Sequence, residues 1–256
     1  MGQTNTTLGK EEALRALEHW QLPGPVERLE PGSGTANASV VVRAGGRAFV
    51  LKRRNPRYAV PQWVAFDHAL MAHLREHGIP VPRPLPTSAG GTWAELEASI
   101  FELTDLMPGA GHRWGNVDQV RAAGEMLGRF HEASACFRPP AAKSWDRYHS
   151  PGAALGALER IRAEAGALSP EGEDLLACCT ALAQQLLTRL PDERYWSLPR
   201  TVVHGDWHPA NLKFRGRKVV GVFDLDWCTL QPRMVDFADG LLFFCGHRAE
   251  PVVAGD

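Results

Sequence analysis

The 256-residue chain carries almost no excess charge: 28 Lys and Arg stand against 29 Asp and Glu, a net of −1. That argues against nucleic acid or an anionic membrane surface as a partner, since both select a basic face. No apolar run approaches the roughly 20 residues of a membrane-spanning helix, and the polar N-terminus lacks a signal-peptide core. A cytoplasmic protein with no membrane partner is the expectation. Cysteine is sparse, with five in all (Cys136, Cys178, Cys179, Cys228 and Cys245), and no two form a C-x-x-C pair. An odd, unspaced set argues against a disulfide frame and a structural zinc site, so buried free thiols are expected. Repeats and low-complexity tracts are absent, and so is a Walker A sequence. Short basic runs such as Lys52-Arg53-Arg54 read as solvated or local.

What is present is a spacing. In His204-Gly-Asp-Trp-His-Pro-Ala-Asn211, Asp206 and Asn211 lie five apart, and Asp224 follows thirteen residues later. Phosphoryl transfer needs a group that orients and deprotonates the acceptor hydroxyl, and metal ions that neutralise the triphosphate. Asp206, after a strand and a glycine, suits the first role. The amide oxygen of Asn211 and the carboxylate of Asp224 suit a hard cation such as Mg²⁺. A hairpin around Arg215-Gly-Arg217 returns the chain so that Asn211 and Asp224 converge. Each acid alone would read as a turn cap or a strand end; the three at this spacing read as a site.

The rest of the chain divides in composition. Lys10 to Trp20 reads as an amphipathic helix. Val26–Leu29, Ser39–Arg43 and Ala48–Lys52 read as strands, with a turn-forming run at Pro31-Gly-Ser-Gly-Thr-Ala-Asn37 and a hairpin signal at Gly45-Gly46. Trp63 to Glu76 is helical by period and is stopped by His77-Gly78. Glu97 to Leu103 reads as a strand. Beyond it helices dominate: residues 117–135, 152–165, 170–190, and 235–245 as a core helix. The expected division is 1–104 and 105–256. Residues 137–150 read as a Pro-rich surface connection.

His204 to Leu212 followed by Val222-Phe-Asp-Leu-Asp-Trp227 resembles the aminoglycoside phosphotransferase and choline kinase family. The resemblance covers most of the chain from about Gly32 onward. Its C-terminal motifs are highly specific and its N-terminal ones weakly so. It implies an α+β, two-lobed protein-kinase-like fold, with a small antiparallel-sheet N-lobe and a mostly helical C-lobe. It implies ATP and Mg²⁺ as cofactors and a small-molecule hydroxyl as acceptor. Lys52 matches the lysine that reaches the α- and β-phosphates, and Gly32, Ser33 and Gly34 with Asn37 resemble the loop over the phosphates. Glu102, Leu103 and Thr104 resemble the hinge whose backbone receives adenine. Asp236 matches a structural acid, and His204 is implied to hold the catalytic turn through backbone bonds.

The pattern departs from the family in places. Asp67 stands where an acid, usually Glu, pairs with the strand lysine; it is one methylene shorter, which leaves a longer pair, a water-mediated pair and no pair all open. Asp226 reads equally as a metal helper and as a structural acid. His131 reads as a buried histidine, and Trp207 and Trp227 as packing. Phe66 to Leu74 and the Gly-Ile-Pro-Val-Pro-Arg-Pro run resemble the homoserine-kinase-like and stress-response-kinase-like branches. Trp114, Trp145 and Trp196 are candidates for an aromatic cage around a choline-type acceptor. The chain ends seventeen residues beyond Asp239, where relatives usually continue, so the C-terminus reads as truncated. A nucleotide-binding pseudoenzyme and a protein Ser/Thr kinase of the stress-response type are the alternative readings.

Overall fold

The computed structural model describes residues 7–32, 37–141, 143 and 150–246. It opens with α1 (Lys10–Leu17), followed by β1 (Val26–Pro31), β2 (Ala38–Ala44), β3 (Arg47–Arg53), α2 (Pro61–Glu76), β4 (Ala94–Leu96) and β5 (Ser99–Asp105). The strands form one antiparallel sheet in the order β1-β2-β3-β5-β4. Alternation in β2 buries Ala38, Val40, Val42 and Ala44 on one face. They share a core with Phe49, Leu51 and Leu103, and with Ala13, Leu17 and Trp20 at α1. Burying a side chain such as Phe49 or Leu51 contributes about 1.5–3 kcal/mol. The β2–β3 turn needs positive φ at both positions, and Gly45 (φ 55) and Gly46 (φ 69) supply it.

The strand expected from Glu97 is instead a hairpin whose turn is Glu97-Ala98, with φ of 50 and 60. Neither residue favours that left-handed region, so no turn signature marks it in the sequence.

The second half contains α3 (Val117–Ala135), α4 (Pro151–Glu164), α5 (Pro170–Arg189), α6 (Asp192–Ser197), β6 (Arg200–Val203), β7 (Leu212–Arg215), β8 (Lys218–Val222), β9 (Thr229–Pro232) and α7 (Met234–Cys245). Asn116 caps α3, accepting a bond from Gln119 N. β6 pairs with β9, and β7 with β8, both antiparallel. The core of this half joins Met126, Leu127 and Phe130 of α3 to Trp207, Leu212, Val222 and Leu225. Phe66, Leu70, Met71 and Leu74 of α2 belong to this same core. α2 is therefore fixed to the half that carries the catalytic motif, although it lies among the sheet strands in sequence.

Two further expectations need correction. α7 forms where a core helix was expected, but among its described residues only Asp236 is buried, while Phe237, Leu241 and Leu242 are half exposed or more. Its hydrophobic composition does not reflect its burial here. The cysteines are free, but only Cys228 is buried; Cys136, Cys178 and Cys245 are exposed. Cys178 lies on α5, whose buried residues are Leu176 and Ala183 alone.

Candidate functional site

The catalytic turn is built on a buried carboxylate. Asp236, at the start of α7, accepts from the backbone N–H of His204 at 2.8 Å and of Gly205 at 2.7 Å. His131 Nε2 lies 2.7 Å from the same side chain. Gly205 has φ 78, which lets the chain turn sharply before Asp206. The His204 ring meets Phe223 O at 2.7 Å through Nε2, so Nε2 carries the proton. Burial holds the His204 pKa down and keeps the ring neutral. His204 thus ties the strand before Asp206 to the residue before Asp224. The role expected for His204 in holding the turn matches these bonds, and Asp236, expected only as a structural acid, is what the turn rests on.

The β7–β8 hairpin brings Asn211 and Asp224 together. Leu212 pairs with Val222, and Phe223 N donates to Asn211 O at 2.9 Å. Asn211 Nδ2 donates to the Asp206 carbonyl and to its Oδ2, both at 2.9 Å. That fixes the amide and leaves Asn211 Oδ1 as its oxygen donor. Burial pushes the Asp206 pKa up, but His208 (3.2 Å away) and Asn211 outweigh it and hold the carboxyl below its usual value. Asp224 sits in the left-handed region (φ 58, ψ 60). Its carboxylate forms no hydrogen bond or ion pair among the described residues. Burial, with Asp226 and Asp206 nearby, pushes its pKa up to about 6. A carboxylate without an ion pair and an amide oxygen, brought together by the hairpin, make a hard-oxygen donor set that fits Mg²⁺ or a similar cation.

Lys52 reaches the same place from β3. Its Nζ lies 2.8 Å from Asp226 Oδ1 and 3.2 Å from Glu102 Oε2. Burial alone would lower its pKa, but Asp226 and Glu102 raise it, so the ammonium stays charged. Asp67 does not pair directly with Lys52, one of the arrangements the sequence had left open. Asp67 binds Arg54 Nη1 at 2.7 Å through Oδ2 and Lys143 Nζ at 2.6 Å through Oδ1. Glu102 lies directly across the ladder from Lys52 and fills the role expected of Asp67. The backbone of Glu102–Thr104 is engaged in the sheet: Lys52 and Val50 are register partners of Glu102 and Thr104, and Leu103 O accepts from Leu85 N.

Arg54 was read as solvated, yet its side chain is completely buried. It also binds Glu102, and it lies 3.3 Å from Asp226. Asp226 takes Lys52, Arg54 and, at 2.8 Å, the amide of Asn37. Its pKa falls to about 2: burial opposes the shift, but Arg54 and Lys52 outweigh it. Asp226 is therefore a structural acid joining the base of the Gly-rich turn and β3 to the catalytic half. Three cations (Lys52, Arg54, Lys143) face three carboxylates (Asp67, Glu102, Asp226), so the cluster is neutral within itself. Lys143 comes from the segment expected as a surface connection.

Gly32 closes the Gly-rich turn at its first strand. A Cβ there would lie 2.1 Å from Ser39 Oγ, and Gly32 N donates to Ser39 O. Ser33 and Gly34 lie outside the described residues, as does Trp145. Trp207 is buried in the core and Trp227 lies against Tyr58, as packing. Trp114 is half exposed beside His112. Trp196 lines a separate cavity of about 520 Å³ with Phe66, Lys143 and Thr229; none of Lys52, Asp206, Asn211 or Asp224 lines it. Trp114 does not line that cavity.

A sheet lobe that presents a charged lysine, set against a turn that presents Asp206, Asn211 and Asp224, defines a small-molecule phosphotransferase of protein-kinase-like fold. The profile of the APH phosphotransferase enzyme family matches residues 27–255, and the chain belongs to that family. Among curated relatives, the homoserine kinase of Zymomonas mobilis subsp. mobilis is 26% identical over 256 residues, covering 97% of this chain and 75% of that protein. Among solved structures, a microcompartment-associated aminopropanol kinase superposes with a TM-score of 0.71 at 21% identity, covering 91% of this chain and 74% of that one. An amicoumacin kinase in complex with AMP-PNP, Ca²⁺ and Ami superposes at 0.69 with 16% identity, covering 95% and 72%. No helix among the described residues is long and apolar enough to cross a membrane.

Proposed function

We propose that the protein transfers the γ-phosphate of ATP to the hydroxyl of an amino alcohol, with homoserine-like compounds the first class to test. The observation that carries this reading is the pair of carboxylates: Asn211 clamps the ionised Asp206, while Asp224, returned beside Asn211 by the β7–β8 hairpin, makes no ion pair among the described residues. Asp206 orients the acceptor hydroxyl and takes its proton as the oxygen attacks phosphorus. Lys52 reaches the α- and β-phosphates, with Glu102 and Asp226 keeping its ammonium charged and in place. Asn211 Oδ1 and Asp224 hold Mg²⁺, which when bound neutralises charge on the phosphates. Most of the rate enhancement comes from this fixed electrostatic field. The Gly32-Ser33-Gly34 run is the candidate loop over the phosphates.

The acceptor class rests on two supports. The relatives named above include a homoserine kinase and an aminopropanol kinase, both named for a compound that carries an amino group and a hydroxyl. Asp239 on α7 adds negative charge near Asp206, which suits an ammonium group on the acceptor.

The test is ADP release with Mg²⁺ across a panel of homoserine, simple amino alcohols, aminoglycosides and a generic protein. Turnover is expected with an amino alcohol. Asp206→Ala should lower kcat by about 10²–10⁴-fold, the usual contribution of a positioned base, while ATP binding persists. Thermal stabilisation by ATP without turnover on any acceptor would overturn the kinase reading in favour of a nucleotide-binding pseudoenzyme. Turnover on the protein alone would overturn the acceptor class.

A further inference from the structure

Three residues outside the phosphate site converge where α2 and α3 end. His73 and His77 form an i,i+4 pair, His77 being the C-cap of α2. Their ring centroids lie 4.2 Å apart. Cys136, the C-cap of α3, places its Sγ 3.6 Å from Nε2 of each histidine. One ligand atom from each residue lies within 4.8 Å of the other two. A tetrahedral zinc with bonds of about 2.0–2.3 Å separates its ligand atoms by about 3.3–3.8 Å, which is the range of both sulfur–nitrogen distances. Cys136 and His77 are exposed and His73 is half-buried, so an ion has access from solvent and water has room to complete the set.

The hydrogen bond made by His77 suits a metal ligand, whereas His73 and Cys136 are engaged with Ala133 O. His77 Nδ1 donates to His73 O at 2.8 Å, which leaves its Nε2 lone pair facing the thiol. A backbone carbonyl on the second nitrogen is the usual support for a metal-binding imidazole. Ala133 O lies 2.9 Å from His73 Nε2 and accepts from Cys136 Sγ at 3.2 Å. Metal binding would release the thiol proton to solvent and move the His73 proton from Nε2 to Nδ1, freeing both atoms for the ion. The Phe137 ring, 5.3 Å from that of His73, limits how far His73 swings.

We propose that His73, His77 and Cys136 bind a zinc-class divalent cation, with water as fourth ligand, and clip the end of α2 to the end of α3. The nitrogen and sulfur donors separate this site from the oxygen donors at Asn211 and Asp224. Because α2 also carries Asp67, which holds Arg54, the clip would steady the helix behind the Lys52 network.

The test uses the full chain, stripped of metal and reduced, titrated with Co²⁺ in the presence of excess Mg²⁺. The expected result is tetrahedral visible bands and an ultraviolet thiolate-to-cobalt band that saturate at one equivalent and are displaced by one equivalent of Zn²⁺. Cys136→Ser should abolish the thiolate band, and His77→Ala should weaken Zn²⁺ binding at least tenfold. Both positions are exposed, so both variants should keep the wild-type circular dichroism. Cys178→Ser and Asp224→Asn should retain the band. Absence of a thiolate band, or a band that survives Cys136→Ser, would overturn the site.

Discussion

Replacing Arg54 by methionine removes one cation from a buried set in which three face three carboxylates. Asp67, Glu102 and Asp226 would then be left with Lys52 and Lys143 alone. All three carboxylates are at most 2% exposed, so water cannot make up the lost bonds. Breaking a buried ion-pair network on one side typically costs about 3–5 kcal/mol. At about 2–4 °C per kcal/mol for a chain of this size, the expected drop in Tm is about 6–20 °C. The loss should depend on pH with a definite sign. Arg54 and Lys52 hold Glu102 well below its usual pKa, and Asp226 at about 2, in each case against burial. Stability from such groups is present above their unfolded values, about 4, and is lost as pH falls through the folded ones. The gap between wild type and Arg54→Met should therefore be full at pH 7 and shrink as pH falls below about 4. Arg54→Lys should fall between, because an ammonium cannot span the guanidinium's several partners. Urea unfolding over this pH range measures all three proteins. A gap under about 1 kcal/mol at pH 7, or one that does not change with pH, would refute the role given to Arg54.

Two other outcomes follow from the site. Asp236→Ala orphans the N–H groups of His204 and Gly205, each at about 1–3 kcal/mol; unfolding should show a loss of at least about 2 kcal/mol, and kcat should fall more than ATP affinity. Asp239 is only half buried, and burial together with Asp236 raises its pKa to about 6. A raised carboxyl gains stability as pH falls, so Asp239→Asn should stabilise the apo protein at pH 8 by on the order of 1 kcal/mol after discounting for solvent, and by nothing near pH 4. Equal effects at both pH values would sink that assignment.

The sequence made some of this legible for local reasons. Asp206, Asn211 and Asp224 converge through one short hairpin, so their spacing carries their geometry. The α3 boundaries were legible because apolar period and cap agree. Arg54 was not legible: Lys52-Arg53-Arg54 looks like a surface run until Glu102, forty-eight residues on, meets it from the neighbouring strand. Whether Asp67 meets Lys52 was left open for the same reason, since counting along the chain cannot show that Glu102 stands opposite. The His73, His77 and Cys136 cluster joins residues up to 63 apart, and cysteine spacing alone had argued against any such site. Glu97-Ala98 turns with no glycine, and α7 is apolar yet exposed; neither has a local signal.

The β7–β8 hairpin also bears on how this motif can vary between proteins. Leu212 pairs with Val222 and Arg215 with Lys218, so Asn211 and Asp224 are set by pairing and not by count. Two residues added at the Gly216 tip would lengthen the spacing and leave Asn211 and Asp224 in place, at the cost of the bond from Gln119 to Gly216 O. One residue added within β8 would reverse the faces of everything after it and turn Asp224 away. Searches for distant members should therefore allow the thirteen-residue interval to stretch at its tip and hold it rigid near its ends.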